Sequence, residues 1–188
     1  NGIGTQTSGN SEASFATLDD VTPAPMNVTE FMDCSMEEPI FSAPPVGTSN
    51  GQAVDASQGW GAAQHFTLTD DQKIGYVDWW MITTGSPAVE EFIIEFYEDG
   101  GQPSGDPVAS FLVMPVPLAT GEYWSGAFQF YRYQVELPDA VDLEVGWFFI
   151  ERQNNYGNPW LYWANTTATS EPSYHGSGSS VGPYAMCL

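Results

Sequence analysis

From about Met32 onward, apolar and polar residues alternate with a period of two or run apolar in short blocks, which is the pattern of half-buried and fully buried strands. Residues 74–83 hold Ile74, Val77, Trp79, Trp80, Met81 and Ile82, and their β-branched and aromatic character predicts a long strand. Residues 92–97 predict another, and Asp99, Gly100 and Gly101 follow it as a strong turn signal. Further strands are predicted over 108–114, 128–137, 143–151 and 160–164, each bounded by Gly, Pro, Asn or Asp. Nowhere does a 3.6-residue apolar period last three turns, so no helices are available for parallel crossovers. The expected fold is all-β, an antiparallel sandwich of jelly-roll type over residues 31–188.

Residues 1–30 read differently. The first fourteen are mostly Gly, Ser, Thr and Asn, with Ile3 as the one large apolar side chain. A short strand-like patch with Phe15 and Leu18 follows, then Asp19, Asp20 and the prolines Pro23 and Pro25. This composition predicts an extended arm rather than part of a core. Such an arm can add a strand to a neighbouring subunit, with Ile3, Phe15 and Leu18 as anchors. A head-to-tail contact of that kind does not close and builds a fibre. The physical analogy is with pilus subunits joined by strand donation.

Composition supports a folded, secreted domain. Of the 188 residues, 42% are apolar and 14% aromatic, too many for a disordered chain. Apolar runs such as 147–150 are far too short to span a bilayer. Asn1 does not look like a translation start, and a processed, secreted chain is expected. The charge is more unusual. Lys73, Arg132 and Arg152 stand against 24 Asp and Glu, giving a net charge of −21 and a pI near 4.1. That surface repels phosphate backbones and anionic lipid, which excludes nucleic acid and polybasic membrane docking, and with apolar runs so short no membrane insertion is expected.

Cys34 and Cys187 form no Cys-x-x-Cys or Cys/His metal pattern. In an oxidising compartment they are expected to pair, closing a loop of 153 residues.

Residues 76–150 resemble a β-sandwich module of secreted bacterial surface proteins. The resemblance rests on Val77 to Ile82, on Phe92, Ile93, Ile94, Glu95, Phe96 and Tyr97 with the Gly-rich turn after them, on Gly105 to Phe111, on Tyr133 to Pro138, and on Gly146 to Ile150. It implies a β-sandwich in an extracellular protein, serving as an adhesive, glycan-binding or structural unit, and it carries over no active site.

Catalytic chemistry finds little support. Gly178, Ser180 and Gly182 match G-x-S-x-G, but no His follows Ser180 and no strand-to-helix turn is expected there. His65 and His175 are too far apart in sequence to form a recognisable metal motif, and each reads as a hydrogen-bonded histidine. The neighbouring acids Glu37/Glu38 and Glu90/Glu91, and Glu122, read as solvated surface, because adjacent strand residues point to opposite faces. Ca²⁺ is the one cofactor considered, with Asp99 and Asp106 in a predicted hairpin loop as ligands. Asp70/Asp71 and Asp139/Asp142 sit in other expected turns. Sequons at Asn27 and Asn165 are candidate glycosylation sites. Trp80, Trp160 and Trp163 are candidates for stacking on sugar rings.

The reading that follows is a non-enzymatic, extracellular structural subunit of a cell-surface appendage, a homopolymer built through its arm. The alternative is a carbohydrate-binding module with glycans as partners.

Overall fold

A computed structural model describes residues 32–45, 50–69, 72–153, 161–178 and 182–188. They form the strands β1 (Ser42–Ala43), β2 (Gly51–Ala53), β3 (Ala62–Thr67), β4 (Ile74–Thr83), β5 (Phe92–Glu98), β6 (Ala109–Val113), β7 (Leu118–Trp124), β8 (Phe128–Val141), β9 (Val145–Arg152), β10 (Tyr162–Ala164), β11 (Ser173–His175) and β12 (Met186–Cys187). All pairings are antiparallel, in a seven-stranded and a five-stranded sheet.

The pairing is nested. β5 pairs β6, β4 pairs β8, β3 pairs β9 and β1 pairs β12, as if one long hairpin had been rolled up. Rolling splits those eight strands into β1-β12-β4-β8 and β3-β9-β5-β6, which is jelly-roll connectivity. β7 extends the first sheet beyond β8, and β10 with β2 shares the free side of β4 with β12. β11 extends the second sheet beyond β3.

The inner faces alternate as strand geometry requires. Val77, Trp79 and Met81 of β4 face Phe92, Ile94 and Phe96 of β5 and Phe148 and Ile150 of β9 in one core. Trp79 stacks on Tyr133 at 5.5 Å, Phe92 meets both edge-on, and Trp163 stacks on Tyr184 at 4.7 Å. At one end the buried Arg152 guanidinium is held by Glu90, with Nη2 2.5 Å from Oε1. Burial lowers the Arg152 pKa, and the charge of Asp55 opposes that shift.

Strand β4 has the expected limits, whereas β8 runs four residues past its expected end, through Asp139 to Val141. Asp139 therefore lies in a strand and not in a turn. The register against β4 shifts between Tyr76↔Glu136 and Ile74↔Val141. Pro138 falls in that irregularity, where its missing N–H breaks no regular ladder bond.

The two cysteines form a disulfide with Cα atoms 5.8 Å apart. It ties residues 32–36, which lie on the outer face of the seven-stranded sheet, to β12, which lies between β1 and β4. Among the described residues no helix is long and apolar enough to cross a membrane.

Replacing both Cys34 and Cys187 by Ser should remove about 4–5 kcal/mol of unfolding free energy, the value expected for a loop this long. Equilibrium urea unfolding should show a lower midpoint in the double variant, and adding reductant should bring the parent chain to the same value.

Candidate functional site

On the outer face of the seven-stranded sheet β4 presents Asp78, Trp80 and Ile82, the residues between its core-facing ones. Two of these are large and apolar, so the face cannot be left to water along its whole length. Met32, Cys34 and Met36 cover Trp80. The Ser35 N–H donates to Asp78 Oδ2 at 2.6 Å and holds this segment down.

The cover does not close the face. Beyond it a hollow of about 160 Å³ is lined by Asn50, Gly51, Ile82, Trp124, Phe128 and Tyr162. Trp124 and Phe128 flank the β7–β8 turn, where Ser125 (φ 54°) and Gly126 (φ 71°) are both left-handed. That is the type I′ geometry that matches strand twist, and it sets the two rings side by side at 5.0 Å. Tyr162 meets Phe128 edge-on at 6.2 Å. Gly51 makes the floor: a Cβ there would lie 2.7 Å from the Trp163 carbonyl oxygen and 3.1 Å from both Ile82 and Tyr162.

A second hollow of about 240 Å³ shares Gly51 and Tyr162 and continues past Gln52 and Ala53 to Trp60, His175 and Ser177. Trp60 is set by a 3₁₀ turn, Ala56–Gln58, capped by Asp55, whose carboxylate accepts from the Ser57 N–H at 2.8 Å. His175 Nε2 lies 2.7 Å from the Ala53 carbonyl oxygen and donates to it, so Nδ1 accepts from the Ser177 hydroxyl at 2.7 Å. Two hollows thus flank one tyrosine, with aromatic rings and amide, hydroxyl and imidazole groups among their lining. Among the described residues no carboxylate lines either one. A separate hollow of about 230 Å³ beside Glu38, Ile40 and Thr69 has no aromatic wall.

The structure redistributes the expected site residues. Trp80 and Trp163 are fully buried, Trp80 beneath residues 32–36 and Trp163 against Tyr184 in the core, so neither offers a face to a sugar. That expectation is corrected: strand alternation does turn Trp80 away from the core, but a covering segment buries it. Asn165 is 6% exposed with both amide side-chain atoms enclosed, so a glycan on it has no path to solvent in this fold. Asp99 is drawn to His65, with Oδ1 3.0 Å from Nε2, while His65 Nδ1 lies 2.8 Å from Glu171 Oε2. Asp106 is exposed, and no group of three or more His, Cys, Asp or Glu is placed to hold a metal ion among the described residues. Of the neighbouring acids, Glu90 is not solvated surface, because it is buried against Arg152. Ile3, Phe15, Leu18, Asn27, Asp70, Asp71, Trp160 and Ser180 lie outside the described residues.

Sequence reasoning missed Trp60, Trp124, Phe128 and Tyr162 as a group. The Ser125-Gly126 dipeptide between two aromatic residues was the available signal for Trp124 and Phe128. Nothing local to the sequence brings Gly51 and Trp60 beside Tyr162.

The basic side chains are all engaged. Arg152 and Arg132 are buried, and the exposed Lys73 pairs with Asp142 at 3.0 Å. On the outer face of the five-stranded sheet, Tyr97 donates to Glu95 at 2.5 Å, as does Ser110 at 3.0 Å. Burial and the Glu95 bond raise the Tyr97 pKa. Burial also raises that of Glu151. A hydrogen bond from Gln153 opposes the shift, and the charges of Glu95 and Asp55 reinforce it.

The fold and site define an all-β jelly roll carrying two adjoining hollows with aromatic walls, one on the outer face of the seven-stranded sheet and one running from β2 and β10 to β11 of the other sheet. Compared with protein-family models, curated proteins and solved structures, the chain gives no match.

The folded chain holds a proton on Glu151 to higher pH than the unfolded chain does. Its contribution to stability is therefore full below the unfolded value of 4.5 and is lost as pH rises through the folded value. Glu151→Gln should raise the melting temperature by about 1–3 °C at neutral pH, a difference that closes below about pH 4. An equal effect at both pH values in a thermal-melt series would rule this out.

Proposed function

We propose that the protein is a secreted, extracellular glycan-binding β-sandwich that takes a neutral sugar chain into the double hollow around Tyr162. The observation that carries this reading is the pair of adjoining hollows walled by Trp60, Tyr162, Trp124 and Phe128. Pyranose rings offer flat C–H faces that pack on aromatic rings, while their hydroxyls need donors and acceptors at the rim. Asn50, Gln52 and Ser177 supply such groups. A chain with net charge −21 and its few cations already engaged disfavours sulfated or uronic sugars, which points to neutral ones. Binding rather than cleavage fits the lining, because hydrolysis would need a pair of carboxylates on the sugar.

The structural-subunit reading needs the arm residues Ile3, Phe15 and Leu18, which lie outside the described residues, so it draws less support from this structure.

Calorimetric titration with a panel of neutral oligosaccharides should find binding that Trp124→Ala or Tyr162→Ala weakens at least about tenfold, or ~1.4 kcal/mol. Circular dichroism would check that both variants stay folded. Binding that ignores both substitutions, or no binding across the panel, would overturn the assignment.

A further inference from the structure

We infer that the outer edge of β6 is a self-association surface, on which a second copy of this chain pairs its own β6 antiparallel across a two-fold axis.

β6 ends the five-stranded sheet, and no described strand pairs with its outer side. Ala109, Phe111 and Val113 turn inward and pack against the core. On the other side Leu112 is 64% exposed, and the alternation continues past the strand with Met114 at 60% and Val116 at 63%. Scattered exposed apolar residues need no explanation, but three at alternate positions along an open edge form a stripe. Edge strands usually carry protection, most often a charged side chain. Here residues 107–121 contain no Asp, Glu, Lys or Arg, within a chain that has 24 acidic residues. Pro115 and Pro117 limit the stripe at one end only.

Charge selects the occupant. Two copies each carrying −21 repel wherever their acidic surfaces meet. The contact with the least repulsion is one to which neither contributes a charge, and this edge is such a stretch. A foreign strand drawn by electrostatics would be basic, and it would go to the acidic surface instead. An antiparallel strand pair is compatible with two-fold symmetry, so the contact closes as a dimer. The product is one continuous ten-stranded sheet made from two five-stranded ones. Backbone hydrogen bonds supply the adhesion, and the Leu112 and Met114 side chains lose water on pairing. Salt screens the repulsion without weakening a neutral ladder, so the dimer strengthens as ionic strength rises.

Sedimentation velocity on the full chain, over a concentration series at low salt and at about 1 M salt, tests this directly. A dimer fraction that grows with concentration and with salt is expected. A chain carrying both Leu112→Lys and Met114→Lys should associate at least about tenfold more weakly while keeping its circular dichroism spectrum. Amide exchange over Ala109–Val113 should slow in the dimer. A chain that stays monomeric at high salt overturns the inference. So does a dimer unaffected by the two lysines with no slowing in β6. Fibres that vanish when residues 1–22 are removed would overturn the closed dimer in favour of strand donation by the arm. Because these substitutions leave the Tyr162 hollows untouched, glycan binding in the same variant separates failure of this surface from failure of the site.

Discussion

Strand β4 is apolar on both faces, and most of the architecture answers that constraint. Val77, Trp79 and Met81 drive the two sheets together, while Trp80 and Ile82 on the other side require a cover that a two-layer sandwich does not supply. Residues 32–36 provide part of it, tethered by the disulfide and by the bond from Ser35 to Asp78. The cover reaches Trp80 and leaves Ile82 at the bottom of an aromatic hollow. One strand pattern thus accounts for the dense core, for a bridge spanning most of the chain, and for the open half-face that forms the site.

Electrostatics shape what can meet that site. A chain with eight acidic residues for each basic one has little with which to neutralise its surface, and it places two of its three cations in the interior. Arg152 answers the buried Glu90, since a carboxylate enclosed there without a partner would be costly. His65 bridges Asp99 and Glu171, and with Trp147 donating to the Gly100 carbonyl it fixes the loop after β5. The loop that looked like a calcium hairpin is therefore held by an imidazole and an indole.

The long strands were legible because their apolar side chains repeat at the strand period. Residues 74–83 and 92–97 each announce themselves without help from neighbours. Of the short strands only β10 was legible. β1, β2, β11 and β12 have two or three residues each and exist because β12, β10, β3 and β4 in turn offer them an edge. β7 escaped notice because Gly121 interrupts it, and its register with β8 slips between Ala119 and Tyr123. β3 escaped because Ala62, Ala63 and Gln64 carry weak strand propensity and are buried by the strands on either side. The site was harder still. Trp80 reads like an outward-facing platform in any local window, and only residues more than forty positions away bury it. Gly51, Trp124 and Tyr162 come from β2, β7 and β10, elements joined through pairings that no local pattern displays.

The hollows and the β6 edge lie apart: the hollows are built on the seven-stranded sheet and on β11, and β11 and β6 are opposite ends of the five-stranded sheet. Rings around Tyr162 are held by the β7–β8 turn, by β10 and by the capped turn before Trp60, none of which belongs to β6. Pairing two copies through β6 extends the five-stranded sheet and leaves the outer face of the seven-stranded sheet free on each copy. A dimer built that way would carry the proposed sugar site twice. Two modest sites on one rigid body bind a repeating surface far more tightly than either does alone, provided both can engage at once. On the proposed reading, two hollows joined through an uncharged edge would let an acidic chain hold a neutral, repetitive ligand without attracting charged polymers.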